Sequence, residues 1–475
     1  MAFFIKQNTM PCEDDFITCE NKQLGMQQLL ALLLAEIAPG VPAIRVCDAG
    51  GGAAVPMPIG NSVFVNPLGD DGTGAREDFH LPFLTLNAAK NAALAGDTIY
   101  VYGGTYNEGN TLSKTGVKWH FVGRPVLNLF ASRVWTDLDV QEDIYISGDA
   151  IFNHLGVGQM VYIGNAASTL HFNGYSVTGN GQQLFSLRGG SGIVNIETKL
   201  EVTLVNRCIQ LGGNASYVFN IDDIFCNSFI GGVANAINFQ NQAPVYAGNC
   251  VFNCRTIRSD RANGATISMQ YGPLTGTAIF NITDKIHRQQ AVSPAHTDSA
   301  IQMLSGNIEV NGDIDGGTGH AINMETKFFA KKMVHNGNAI NDGTTPLVDC
   351  GNDTPDFWSG GLIDAKLNGE YESANEKVIT HRGEPNNKFN INGAILSKYA
   401  GVGTNYGLYL AANANVTILD SVKIVSDNNG TPFGIGAAAA RNVKIIHNAA
   451  SNVNVDGNIS NLITGTTYVF DTDVE

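Results

Sequence analysis

Over most of its length the chain alternates short apolar runs with Gly, Asn and Asp. Phe219-Asn220-Ile221, Phe280-Asn281-Ile282 and Phe389-Asn390-Ile391 share one local pattern, and Ile308-Glu309-Val310-Asn311-Gly312 is similar. Apolar residues two apart predict half-buried strands, with Phe219 and Ile221 turned to one face. The strands recur. Phe389, Val416 and Val443 are each 27 residues apart, and Leu170, Val194 and Phe219 are 24 and 25 apart. Coils of about 24 to 27 residues are therefore predicted, with a larger insertion around 284–298. One such coil cannot bury its own apolar face, but a stack of coils can. Asn and Gly suit the bends, because they tolerate left-handed backbone angles. Residues 109–475 would give roughly 14 to 15 coils and, at ~4.8 Å per coil, a rod on the order of 70 Å long. A β-sandwich or a propeller is the competing reading. A sandwich this long would need several domains and clearer linkers.

Residues 63–108 read differently. Val63-Phe64-Val65 predicts a strand, Gly69 to Gly74 a turn, Asn87 to Leu94 a short amphipathic helix, and Asp97 to Val101 a second strand. Gly96 suits a left-handed helix C-cap and Asp97 can bind turn backbone. Pro82, Phe83, Thr85, Gly96, Asp97, Ile99, Val101, Gly104, Thr105 and Tyr106 together form a pattern. It resembles the opening segment of right-handed parallel β-helix proteins of the pectin-lyase-like superfamily. In that family the short helix covers the open end of the solenoid. The resemblance spans about 45 residues and implies a fold rather than a chemistry, because enzymes, adhesins and virus fibres share it. The fold class expected is all-β: a right-handed parallel β-helix solenoid with a short N-terminal helical leader and a capping helix. Its divisions are a leader (1–62), an opening and capping segment (63–108) and the β-helix (109–475).

In the leader, Lys22 to Ala38 predicts a helix stopped by Pro39-Gly40. Met26, Leu30, Leu33 and Ile37 fall at coiled-coil spacings, and Leu29, Leu32 and Leu34 widen the stripe. Such a helix needs a partner: copies of itself, another protein or its own domain. Gly50 to Gly60 reads as a linker.

Composition narrows the classes. Charged residues are only 15% of the chain, which argues against a long coiled coil. Hydrophobic residues at 44% argue against disorder. The net charge of −15 argues against a nucleic-acid partner. No apolar run approaches a membrane span. The first residues carry one Lys and then acids, unlike a secretory signal, so synthesis in a cytoplasm without secretion is expected. The eight cysteines form no Cys-x-x-Cys and read as small buried hydrophobes. No cofactor or metal is expected.

Candidate chemistry is sparse. Asp313 and Asp315, two apart, share a strand face and are the weak catalytic candidates for glycoside hydrolysis. With Asn311 they could also hold Ca²⁺, or simply lead into a Gly turn. Asp222 and Asp223 are adjacent, so a regular strand would send them to opposite faces. Arg255, Arg258, Asp260 and Arg261 read as a solvated loop. Lys285, His287, Arg288 and His296 fall in the insertion, read as an exposed loop. The glycines of residues 69–74 lack the Lys and the strand–helix setting of a phosphate loop.

A leader with an apolar helix, a linker and a solenoid also resembles bacteriophage tailspike and tail-fibre proteins. That resemblance implies a virion protein, tail fibre, tailspike or capsid appendage, serving attachment to the host surface. It implies a homotrimer seeded by the Met26/Leu30/Leu33/Ile37 stripe, other virion proteins docked through the leader, and a host surface glycan as a possible partner. The alternatives are a polysaccharide lyase or glycoside hydrolase on the same fold, and a cell-surface adhesin.

Overall fold

The computed structural model describes residues 61–470, apart from a number of connecting stretches, together with two short antiparallel strands, Thr18–Cys19 and Lys22–Gln23. Met26, Leu30, Leu33 and Ile37, the predicted leader helix and the linker lie outside the described residues.

The chain winds into a parallel β-solenoid. One ladder has 22 strands and a second has 13. Strands pair in parallel with their equivalents in adjacent coils, as in Ser191–Val202 on Ser216–Cys226 and Gln183–Leu187 on Arg207–Leu211. The ladder is continuous from Ser62–Val65, which pairs with Thr98–Tyr102, to Ile463–Phe470, which pairs with Arg441–His447.

The core is the inward face of these strands. Phe219 and Ile221 are buried as predicted. Phe219, Phe252 and Phe280 are register partners whose rings stack face to face at 4.6 Å from coil to coil. Cys208, Cys226, Cys250, Cys254 and Cys350 are buried, in keeping with their reading as small hydrophobes.

Coil length varies more than the predicted 24 to 27. Equivalent Asn residues are 22 apart between Asn173 and Asn195, and 33 apart between Asn220 and Asn253. Strands must stay in register, whereas corners can absorb extra residues. Two predicted spacings therefore slip by two positions. Val416 pairs with Ile445 rather than Val443, and Val194 pairs with Phe172 rather than Leu170.

The long strands bend midway. Gly312, Gly337, Gly369 and Gly393 occupy this bend with φ between 136° and 158°. They stack so closely that a Cβ on Gly369 would lie 1.9 Å from the Gly337 carbonyl oxygen. Only glycine fits there.

The opening segment follows its motif. The helix spans Leu86–Ala92, and the Thr85 side chain caps it by accepting from the Ala88 N–H at 3.2 Å. Leu86 and Ala89 bury against the first coils. Gly96 has φ 95°. The Asp97 carboxylate is fully buried, accepts from the Leu94 N–H at 2.7 Å and takes a bidentate pair from Arg76 at 2.6 and 2.7 Å. The Arg76 hydrogen bonds hold its carboxyl below the usual range. Phe83 bridges Val65, Ile99 and Val101 are in the core, Gly104 lies against Pro67, and the Tyr106 hydroxyl donates to the Tyr102 carbonyl at 2.7 Å. Around the Gly69–Gly74 turn, the Asp71 carboxylate accepts from the Leu84 and Thr85 N–H groups.

Candidate functional site

The outward side of the bend gathers most of the charged residues singled out by sequence. In consecutive coils, one row runs Lys199, Asp223, Thr256, Lys285, Asp313, and its neighbour runs Glu201, Phe225, Arg258, His287, Asp315. Adjacent coils place these side chains about 5 Å apart, so residues some 30 positions apart in sequence become neighbours.

Three expectations from the sequence are corrected by the structure. Asp222 and Asp223 both face outward, because the bend falls between them. Ile221 and Ile224 are buried on either side, and Arg255 reaches both carboxylates. Lys285, His287 and Arg288 lie on the strand Ala278–Arg288 rather than in a loop, with Ile286 in the core between them. Likewise Arg255 and Arg258 belong to the strand Cys250–Ser259. Arg261 and His296 lie outside the described residues.

Asp313 and Asp315 do share the outward face, and each is engaged. Asp313 is exposed and its Oδ1 accepts from the Asn338 N–H at 2.8 Å. Asp315 Oδ2 lies 3.0 Å from both Lys285 Nζ and His287 Nδ1, and its Oδ1 accepts from the Gly317 N–H. Burial works against the ionised carboxyl, but the His287 and Lys285 contacts outweigh it, so Asp315 stays well below the usual carboxylate range. Such a group is a poor general acid near neutral pH. The side-chain oxygen of Asn311, a proposed cation ligand, is taken by the Asn336 amide.

Two other carboxylates behave differently. Burial raises the carboxyls of Asp223 and Asp260, against the pull of Arg255 and Arg258 respectively. Arg258 lies over the Phe225 ring at 3.8 Å with its Nε 3.4 Å from Asp260 Oδ1. The strip thus holds a strongly ionised carboxylate, two raised ones, an imidazole and several cations. That set can bind a polar, hydroxylated chain, and it contains the group types of acid–base catalysis.

Beside this strip runs a feature that the sequence reading touched only as a repeat. Asn173, Asn195, Asn220, Asn253, Asn281, Asn311, Asn336 and Asn368 form one row, each amide after Asn173 donating to the side-chain oxygen of the Asn in the coil before it at 2.7–2.9 Å. The Asn of the Phe-Asn-Ile pattern at 219–221 and 280–282 was its visible trace.

Comparison of the chain with known protein families, curated proteins and solved structures finds no match. The fold and the site therefore rest on the chain's own geometry.

Proposed function

We propose that the protein is a structural component of a bacteriophage particle, a tail-fibre, tailspike or capsid-appendage protein that serves attachment to the host surface as a homotrimer. The reading takes the leader (1–62) as the segment that docks other virion proteins. The supporting observation is the uninterrupted stack of parallel coils, stiffened outside by the asparagine ladder and inside by stacked phenylalanines. A stack of this kind gives a stiff body that grows by adding coils, which suits an appendage. Light scattering on the full chain tests it. The expected mass is three times the 50.5 kDa of one chain. A monomer at every concentration overturns the trimeric appendage.

A second reading, a glycan-cleaving enzyme, is favoured by one observation: Asp223, Arg258, Asp260 and His287 lie together on adjacent coils of one outward strip. Paired carboxylates are the groups that glycoside hydrolysis uses. Reducing-sugar release from capsule or lipopolysaccharide, lost in Asp223→Asn or Asp260→Asn, would support it. Release that persists in both variants removes these groups from the reaction.

A further inference from the structure

A second surface lies over the first coils and ends at Asn173, where the asparagine ladder begins. It is a groove of about 340 Å³ lined by Thr98, Tyr100, Lys118, His120, Tyr145, Ile146, Ser147, His171 and Asn173. Two outward rows build it. Thr98, Lys118, Tyr145 and His171 are successive register partners, as are Tyr100, His120 and Ser147.

The stacking decides what this groove can hold. Coil spacing brings in-register rings face to face. His171 stacks on Tyr145 at 4.5 Å and 11°, and Lys118 Nζ lies 5.2 Å from the centre of the same ring. Tyr100 stacks on Phe64 at 5.7 Å and meets the His120 ring edge-on at 5.5 Å. Both faces of the Tyr145 ring are taken, by His171 and by Lys118, and Phe64 takes one face of Tyr100. These two phenol rings therefore offer their edges, and edges carry the positive part of the ring quadrupole. Ser147 Oγ donates to the Trp119 carbonyl at 3.0 Å and so accepts from His120 Nδ1–H at 2.9 Å. That leaves His120 Nε2 as an acceptor. In a chain of net charge −15, the lining holds one ammonium, two imidazoles, two phenols and no carboxylate. The volume suits a ligand larger than a bare ion.

We propose that this groove binds an anionic sugar, a single hydroxylated ring bearing a carboxylate or a phosphate. Lys118 pairs with the anion, and the ring edges, His120 and Asn173 meet the hydroxyls. The inference deepens the attachment reading, on which it rests only for its biological setting. Titration with free sugars tests it without any particle.

The experiment is calorimetric titration of the full chain with glucuronate, glucose 6-phosphate and glucose. Binding of either anionic sugar at least tenfold tighter than glucose is expected, and the two anionic arms identify which group is preferred. Lys118→Gln should weaken anionic binding at least tenfold and leave the thermal transition unchanged. Tyr145→Ala, which breaks the stacked row, should weaken it as well. Equal binding of glucose and the anionic sugars, no binding of either anionic sugar at millimolar concentration, or unchanged binding in Lys118→Gln overturns the proposal. A trimer that binds no anionic sugar leaves the appendage reading standing without this groove. A monomer with Lys118-dependent binding does the reverse.

Discussion

At the scale of single residues, the solenoid solves one problem repeatedly: a polar group must find a partner one coil away. Each ladder Asn does so with an identical neighbour. His335 does so in the interior. Its side chain is fully buried, Nε2–H donates to the Gly312 carbonyl at 3.0 Å, and Nδ1 therefore accepts from the Tyr371 hydroxyl. Burial lowers its pKa to about 4, below the ~6.5 of an exposed imidazole. The unfolded chain therefore takes up this proton first as pH falls. The contribution to stability is complete above about pH 6.5 and is lost as pH drops toward 4, amounting to roughly 3 kcal/mol. Urea unfolding at pH 7.5 and pH 4.5 should show a lower midpoint in acid. In His335→Gln the acid sensitivity should shrink. An unchanged difference between the two pH values would assign it to other groups.

At the scale of elements, stability comes from like side chains stacked along the axis. Phe252 sits between Phe219 and Phe280, with both rings 4.6 Å away and no exposure. Removing it opens a cavity across three coils that the paired backbones cannot close. Phe252→Ala is expected to cost about 3–5 kcal/mol, read from denaturant unfolding. A loss below about 1 kcal/mol would mean that the coils collapse onto the gap. The same coil spacing stacks His171 on Tyr145 on the outer surface.

At the scale of the whole molecule, each coil contacts chiefly its neighbours, so the two ends of the stack are where assembly must be controlled. The leader stripe, outside the described residues, is the part of the sequence we propose for that task. Leu30→Glu together with Leu33→Glu in the full chain should reduce a trimer to monomers in light scattering while circular dichroism keeps its β signal. A trimer that survives both substitutions would place the contacts on the solenoid itself. Association must also overcome the repulsion of chains carrying −15 each, so a mass that rises with added salt is consistent with assembly through an apolar stripe.

The local alphabet of the fold was readable in the chain. Alternating Phe-Asn-Ile triplets specified strands with one buried face. Asp97 was legible as a turn residue, because turns depend on residues a few positions away, whereas the helix closes at Ala93, short of the predicted Leu94 and Gly96. Asp313 and Asp315 on one outward face followed from period two alone. Register did not follow. Val416 meets Ile445 and Val194 meets Phe172, because whole strands choose their partners while corners of unequal length take up the difference. The bend that turns Asp222 and Asp223 to the same side, the strand that carries His287 to Asp315, and the row that stacks His171 on Tyr145 are consequences of that pairing. Sequence by itself determined which residues face in within a regular run of strand, since alternation is local. Only the tertiary stack decided which outward residues meet, since that depends on the length of every coil between them.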